Sequence, residues 1–271
     1  MKKHLFLTAL LFSASASFAQ ITPSGDSYGP LNAANFGGTG IPNQDVVQTT
    51  VNGVTLGLTA TQRFSNPVVT DNNAGTFFAA AGIDTNPPSP ADPYARWNFD
   101  FYIGHVVQPG GTTTDMTGVA AYNYKLFYDF DPAVGNAQAT HGSISFVGAL
   151  LSNSQTISFG GVSVANPNYS QGSLNLGMNF LQSGSVISGT PIVSAPSGIF
   201  NPNALGQYSF KLTAYTQTGS LFGGNLNLYG TEQFSTSMVV SAIPEPGEWA
   251  MMLAGLGVVS MIARRRRKVT A

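Results

Sequence analysis

Apolar and polar positions alternate with a period of two over much of the chain. Trp97, Phe99, Phe101 and Ile103 fall on one side, with Asn98, Asp100 and Tyr102 on the other. Tyr122, Tyr124, Leu126, Tyr128 and Phe130 repeat the pattern opposite Asn123, Lys125 and Asp129. Tyr208, Phe210 and Leu212 do so opposite Ser209, Lys211 and Thr213. Successive side chains of a strand point to opposite faces, so this spacing predicts strands with one buried face. Residues 46–51 and 54–61 flank Asn52-Gly53, the dipeptide best suited to a two-residue hairpin turn. Shorter candidates are 76–80, 143–149, 155–159, 173–180, 224–229 and 233–240, separated by Gly, Asn, Ser and Pro clusters. Helical periodicity is scarce. Many short strands without a crossover helix predict an all-β fold, an antiparallel β-sandwich of jelly-roll-like form. Residues 86–93 contain four prolines, which cannot donate ladder hydrogen bonds, and read as a loop. That loop either crosses the surface of one sandwich or divides two smaller β units. Residues 194–203 read as a second loop.

The two ends break the pattern. Residues 1–19 have the form of a secretory signal peptide: Lys2 and Lys3, an apolar centre at 5–12, and Ser17-Phe18-Ala19 before Gln20. Cleavage is expected between Ala19 and Gln20. Near the other end, residues 249–263 are uncharged and apolar on all sides. As a helix they reach roughly 22 Å, against a hydrocarbon core of about 30 Å. Trp249 stands at one boundary, where an indole suits the headgroup layer. Arg264, Arg265, Arg266, Arg267 and Lys268 follow at the other and can snorkel, lengthening the effective span. A single C-terminal transmembrane helix over 249–263 is expected, with its basic end (264–268) facing the cytoplasm.

The order Pro244-Glu245-Pro246, one short apolar helix and a terminal arginine cluster resembles the PEP-CTERM sorting tail of Gram-negative bacteria. The resemblance runs from Ile243 to Lys268, about a tenth of the chain. It implies recognition by an exosortase, a membrane-embedded protease/transpeptidase, with Pro244, Glu245 and Pro246 as the recognition motif. It further implies export through the Sec machinery and a transient inner-membrane anchor. The destination would be the cell surface or an exopolysaccharide or biofilm matrix. On this reading the chain is a substrate of that reaction and not an enzyme. It divides into a signal peptide (1–19), a secreted body (20–242) and a sorting tail (243–271).

Charge and composition narrow the body further. The 271-residue chain has a formal charge of −1, but its basic residues gather at the termini. Between 20 and 242 only Arg63, Arg96, Lys125 and Lys211 face ten acidic residues. A weakly acidic body with scattered cations argues against nucleic-acid binding, which needs a clustered basic surface. The absence of cysteine excludes thiolate catalysis, cysteine–zinc sites and disulfides, so burial alone must hold the fold.

Candidate chemistry is sparse. The body keeps His105 and His141, but no Gly-x-Ser-x-Gly elbow, His-Glu-x-x-His pair or phosphate-binding Gly-x-x-x-x-Gly-Lys loop. Asp129 and Asp131, with Asn136 and Gln138 nearby, offer oxygen ligands of the kind calcium takes. Counted from Asp129, however, the glycine and glutamate positions of an EF-hand hold Val134 and Thr140. The other reading makes Asp131-Pro132 a turn and Asp129 a solvent-facing strand residue. No cofactor is expected beyond the calcium that the first reading would take. Tyr102, Phe127 and Tyr215 fall opposite the expected core faces and are candidates for stacking on extracellular polysaccharide. Two alternatives to a matrix protein stay open. A secreted hydrolase would need Asp100, Asp115, Asp129, His105 or His141 to converge in a pocket. A plain anchored periplasmic protein would never be processed at its tail.

Overall fold

The computed structural model describes residues 21–36, 44–84, 86, 93–106, 114–115, 117–133, 138–147, 158–159, 162–163, 170–187, 190–218 and 228–269. In chain order the strands are β1 (Ser27–Gly29), β2 (Val46–Val51), β3 (Val54–Gln62), β4 (Thr70–Asp71), β5 (Thr76–Ala80), β6 (Trp97–Val106), β7 (Thr114–Asp115) and β8 (Tyr122–Tyr128). They continue as β9 (Gly142–Val147), β10 (Ser158–Phe159), β11 (Val162–Ser163), β12 (Ser170–Leu174), β13 (Ser185–Ile187), β14 (Thr190–Ser194), β15 (Gly206–Gln217) and β16 (Tyr229–Ile243). Two α-helices are described, α1 (Asn179–Ser183) and α2 (Pro246–Val269). The protein is mostly β, as its alternating pattern predicts.

The strands form two main sheets. One has six strands in the order β1-β2-β3-β6-β12, with β7 also beside β6. The other has eight, in the order β13-β14-β9-β8-β15-β16-β5-β4. Strands β10 and β11 pair only with each other among the described residues. The β2–β3 hairpin turns at Asn52 and Gly53, whose φ angles of 51° and 81° are the two left-handed values such a turn needs. Strands β3 and β6, separated in sequence by β4, β5 and the proline-rich segment, pair along nine residues from Gln62↔Trp97 to Val54↔His105. One pair departs from the expected antiparallel arrangement: β16 runs parallel to β5, with Val240 opposite Phe77. The sequence pattern anticipated no parallel pair because no crossover helix exists. Here none is needed, since the partners lie far apart in sequence and the intervening strands make the connection.

The sheets share one aromatic core. Phe99 of the first sheet stacks on Phe210 of the second at 4.8 Å, Phe101 meets Phe146 at 5.0 Å, and Trp97 stands edge-on to Phe210 at 6.3 Å. Tyr124, Leu126, Tyr128, Tyr208 and Leu212 are buried on the same side, as the alternation predicts. Face-to-face burial of this kind is the main source of stability in a sandwich.

The outer face of the six-stranded sheet is not open. Leu31, Ala33, Ala34 and Phe36 cross it and form a second cluster with Val46 and Tyr102. Gln171 ties the crossing segment down. It accepts from Asn35 N at 3.0 Å and donates to Asn35 O at 2.7 Å. Strand β6 is therefore buried on both faces, and this corrects two sequence expectations. Tyr102 and Asp100, expected to point outward, are both fully buried. The covering segment lies some sixty residues upstream, so period-two counting within β6 could not reveal it.

The strand expected at 173–180 ends at Leu174 and gives way to α1. Asn175 explains the break. Its Oδ1 accepts from Ala95 N and Gly177 N, while its Nδ2 donates to the carbonyls of Ala95 and Trp97. A side chain that makes these bonds pins the chain to β6 without extending the ladder. Residues 224–227 and 155–157 of two other expected strands lie outside the described residues, as does the signal peptide with Ala19 and Gln20.

The C-terminal helix begins earlier and ends later than the expected 249–263. Pro246 opens it, a position where a missing N–H costs nothing. Residues 251–261 are exposed throughout. No helix among the described residues is long and apolar enough to cross a membrane. The uncharged run within α2 is shorter than the roughly 20 residues of a typical span.

Candidate functional site

The junction between body and tail has the clearest local geometry. Strand β16 closes at Ile243, whose carbonyl accepts from Ala81 N at 2.9 Å. Pro244 and Glu245 then leave the sheet half-buried, and Pro246 starts α2. Arg96, just ahead of β6, reaches across to this exit. Its Nε donates to Ile83 O at 3.3 Å and its Nη1 to Ala81 O at 3.5 Å. The same Nη1 forms an ion pair with Oε1 of Glu245. Gly82 makes room for this. It has φ 129°, and a Cβ there would lie 2.9 Å from Cζ of Arg96. A cavity of about 580 Å³ opens here, bounded by Ile83, Arg96, Asn203, Leu205 and Glu245. Trp249, Arg264, Arg265, Arg266 and Arg267 all fall within α2.

The candidate catalytic residues do not meet in that cavity. Asp129 and His141 do come together, with Ser209 between them. Ser209 donates to Asp129 Oδ2 from its N (3.2 Å) and its Oγ (2.9 Å), and Oγ lies 2.8 Å from His141 Nε2. His141 Nε2 is also 3.6 Å from Asp129 Oδ2. This is not a catalytic triad, in which serine and carboxylate engage opposite ring nitrogens. Here both approach Nε2, and all three side chains are sealed from solvent. Burial pushes the Asp129 carboxyl above the ordinary range, against the opposing pull of His141 and Ser209.

Asp129 is thus buried rather than solvent-facing, a second correction. The turn half of that reading holds. Asp129 Oδ1 accepts from Asp131 N at 2.6 Å, and Asp131 Oδ1 from Ala133 N at 3.0 Å. Both oxygens of Asp129 are taken by protein donors. Among the described residues no group of three or more His, Asp or Glu side chains could hold a metal ion. Gln138 starts a short 3-10 turn (Gln138–Thr140), and Asn136 lies outside the described residues.

His105 pairs in register with Asp115 across β6 and β7, in the sheet that also carries Asp100 and opposite the one whose strands β8 and β9 adjoin Asp129 and His141. Asp100 is fully buried beside the Ser173 and Thr61 hydroxyls; burial pushes its pKa up to about 7, and those two groups offset it only in part.

Of the three aromatics expected outside, Tyr102 is buried, while Phe127 and Tyr215 are half-buried. Tyr215 meets Tyr229 edge-on at 5.6 Å, and Lys125 Nζ lies 4.3 Å from the centre of the Tyr229 ring. Three ion pairs escaped sequence reasoning altogether: Arg96–Glu245, Arg63 Nε with Asp84 Oδ2 at 2.7 Å, and Lys211 Nζ with Glu232 Oε1 at 2.9 Å. The one available signal was scarcity, since the body has only four cations.

The molecule is thus a two-sheet β body followed by a C-terminal helix that is exposed over residues 251–261. Residues 242–268 match the PEP-CTERM protein-sorting motif. No curated protein and no solved structure matches the chain. The motif indicates an exported protein targeted to an exosortase through a membrane-associated sorting signal.

Proposed function

We propose that the protein is an exosortase substrate whose β body serves at the cell surface or in the extracellular polymer matrix. The observation that carries this is the sorting-motif match over 242–268. The body leaves the cell through the Sec machinery behind the 1–19 signal. Helix α2 holds it at the inner membrane by its apolar surface, with Arg264 to Arg267 at the cytoplasmic boundary extending its short reach. Exosortase acts near Pro244-Glu245-Pro246 and frees the body. The chain contributes a substrate and no catalytic group of its own.

The body's role in the matrix is structural, adhesive or glycan-associated. Phe127 and Tyr215, half-buried on the outer faces of β8 and β15, support contact with polysaccharide, because aromatic rings offer sugars an apolar face. The decisive experiment is the intact mass of the protein recovered from the host's surface or medium. A C-terminus near residues 244–248 is expected, and Pro244→Ala with Glu245→Ala should leave the tail in place. Full-length protein confined to the inner membrane would instead mean a plain anchored periplasmic protein.

A further inference from the structure

Arg96 is fixed before it meets the tail. Two carbonyls, Ala81 O and Ile83 O, hold its guanidinium from one side, and Gly82 leaves the space it occupies. Seated in this way, it points its remaining capacity at the chain exit, where Glu245 supplies the carboxylate. Glu245 is the central residue of the sorting motif. It lies two positions past Ile243, the last residue of the β16 ladder. Among the described residues, a backbone hydrogen bond from Ala81 N holds Ile243 just before the motif, and the motif itself is tied to the folded body by the Arg96–Glu245 ion pair.

We infer that Arg96 is a latch on the sorting segment, so that exosortase must take Glu245 from Arg96 before it can act. The inference rests on the exosortase reading above. One carboxylate cannot fill the Arg96 seat and an enzyme's recognition site at the same time, so the body competes with the enzyme for the motif. Arg96 is a positioning residue here: it touches the motif and takes no part in bond cleavage. The competition is weak. The pair is partly open to water, and such pairs contribute little, so releasing it should speed processing no more than about fivefold.

Two measurements on the full chain test this. The chain has no cysteine, and a Cβ at Gly247 would meet nothing within 4 Å, so Gly247→Cys gives a unique and undisturbed site for a nitroxide label. Arg96→Gln should increase the label's mobility. Raising salt from about 0.05 to about 0.5 M should do the same with Arg96 present and have little effect in the Gln variant. In membranes carrying exosortase, chains with native Gly247 should be processed a few-fold faster with Arg96→Gln. Arg96→Lys, which keeps the charge and asks less of the fold, should be processed at close to the parent rate. A label indifferent to Arg96→Gln overturns the latch, and so does equal or slower processing of that variant. If neither parent nor variant is ever processed, the exosortase reading itself fails, and the claim about rate falls with it.

Discussion

The body and the tail solve opposite problems with the same backbone. In the body, apolar side chains meet across two sheets and polar groups are drawn inward with partners: Asn175 makes five hydrogen bonds at the end of β12. In α2, Met251, Leu253, Val259 and Met261 are each more than 60% exposed. A contiguous apolar surface of this kind on a helix marks a site meant for another environment. The body's fold should therefore hardly depend on the tail, and the tail's behaviour hardly on the body beyond the Arg96 contact.

The largest effect that sharpens this contrast lies in the shared core. Phe210 is fully buried and touches both Trp97 and Phe99 of the opposite sheet. Phe210→Ala should destabilise the body by about 4 kcal/mol, read from the midpoint of urea unfolding.

Next comes Asp84, which gathers Arg63, Asn66 and Asn86 around one carboxylate. Arg63 in turn lies over Phe64 and Tyr94, each 4.6 Å from its Cζ. Asp84→Ala would leave Arg63 without its charge partner and should cost about 3 kcal/mol. Burial raises the Asp84 carboxyl, but its hydrogen bonds from Asn66, Asn86 and Arg63 outweigh that and hold it below the ordinary value. Its contribution is thus present above the ordinary carboxyl range and fades as pH falls below it. The Ala variant should lose part of the parent's acid sensitivity, measured by melting between pH 2 and pH 6.

Asp100 inverts the sign. Equally buried but with no cation beside it and only the Ser173 and Thr61 hydroxyls to offset burial, its carboxyl holds a proton up to a pH of about 7. The unfolded chain releases that proton near pH 4, so stability should fall as pH rises from about 4 to about 7 and level off above. Asp100→Asn should flatten this slope. At pH 8 it should stabilise the body by about 2 kcal/mol, less than the full shift because burial costs the amide too. No pH slope in the parent over that range would mean that the Asp100 carboxylate is better solvated or better paired in solution than its burial implies.

The two aspartates also mark how far the sequence could be read. Period-two alternation located the core faces of β6, β8 and β15, and Asn52-Gly53 located the first hairpin, because both signals are local. The sorting segment was legible for the same reason: its residues are contiguous. Whether a polar residue opposite a core face meets water depends on what crosses above it. Tyr102 is covered by Leu31–Phe36, Asp100 lies beside Thr61 and Ser173, and Asp129 meets Ser209 and His141, contacts that no local pattern encodes. The Arg96–Glu245 pair joins residues 149 positions apart and was hidden in the same way.

The smallest effect on folding should come from the tail, and it tests the comparison most directly. Leu256 lies in the middle of α2 and is 60% exposed. Leu256→Ala removes no contact that the body uses, so the body's melting should shift by no more than about 0.5 kcal/mol in equivalent stability. Membrane retention should respond instead, since the substitution removes apolar surface where α2 would meet lipid. Flotation of the full chain with lipid vesicles should show weaker association for the Ala variant, at unchanged melting temperature. A fall in melting temperature comparable to that of Phe210→Ala would show that α2 packs on the body in solution. The tail would then be part of the fold, and its apolar surface would no longer speak for a membrane.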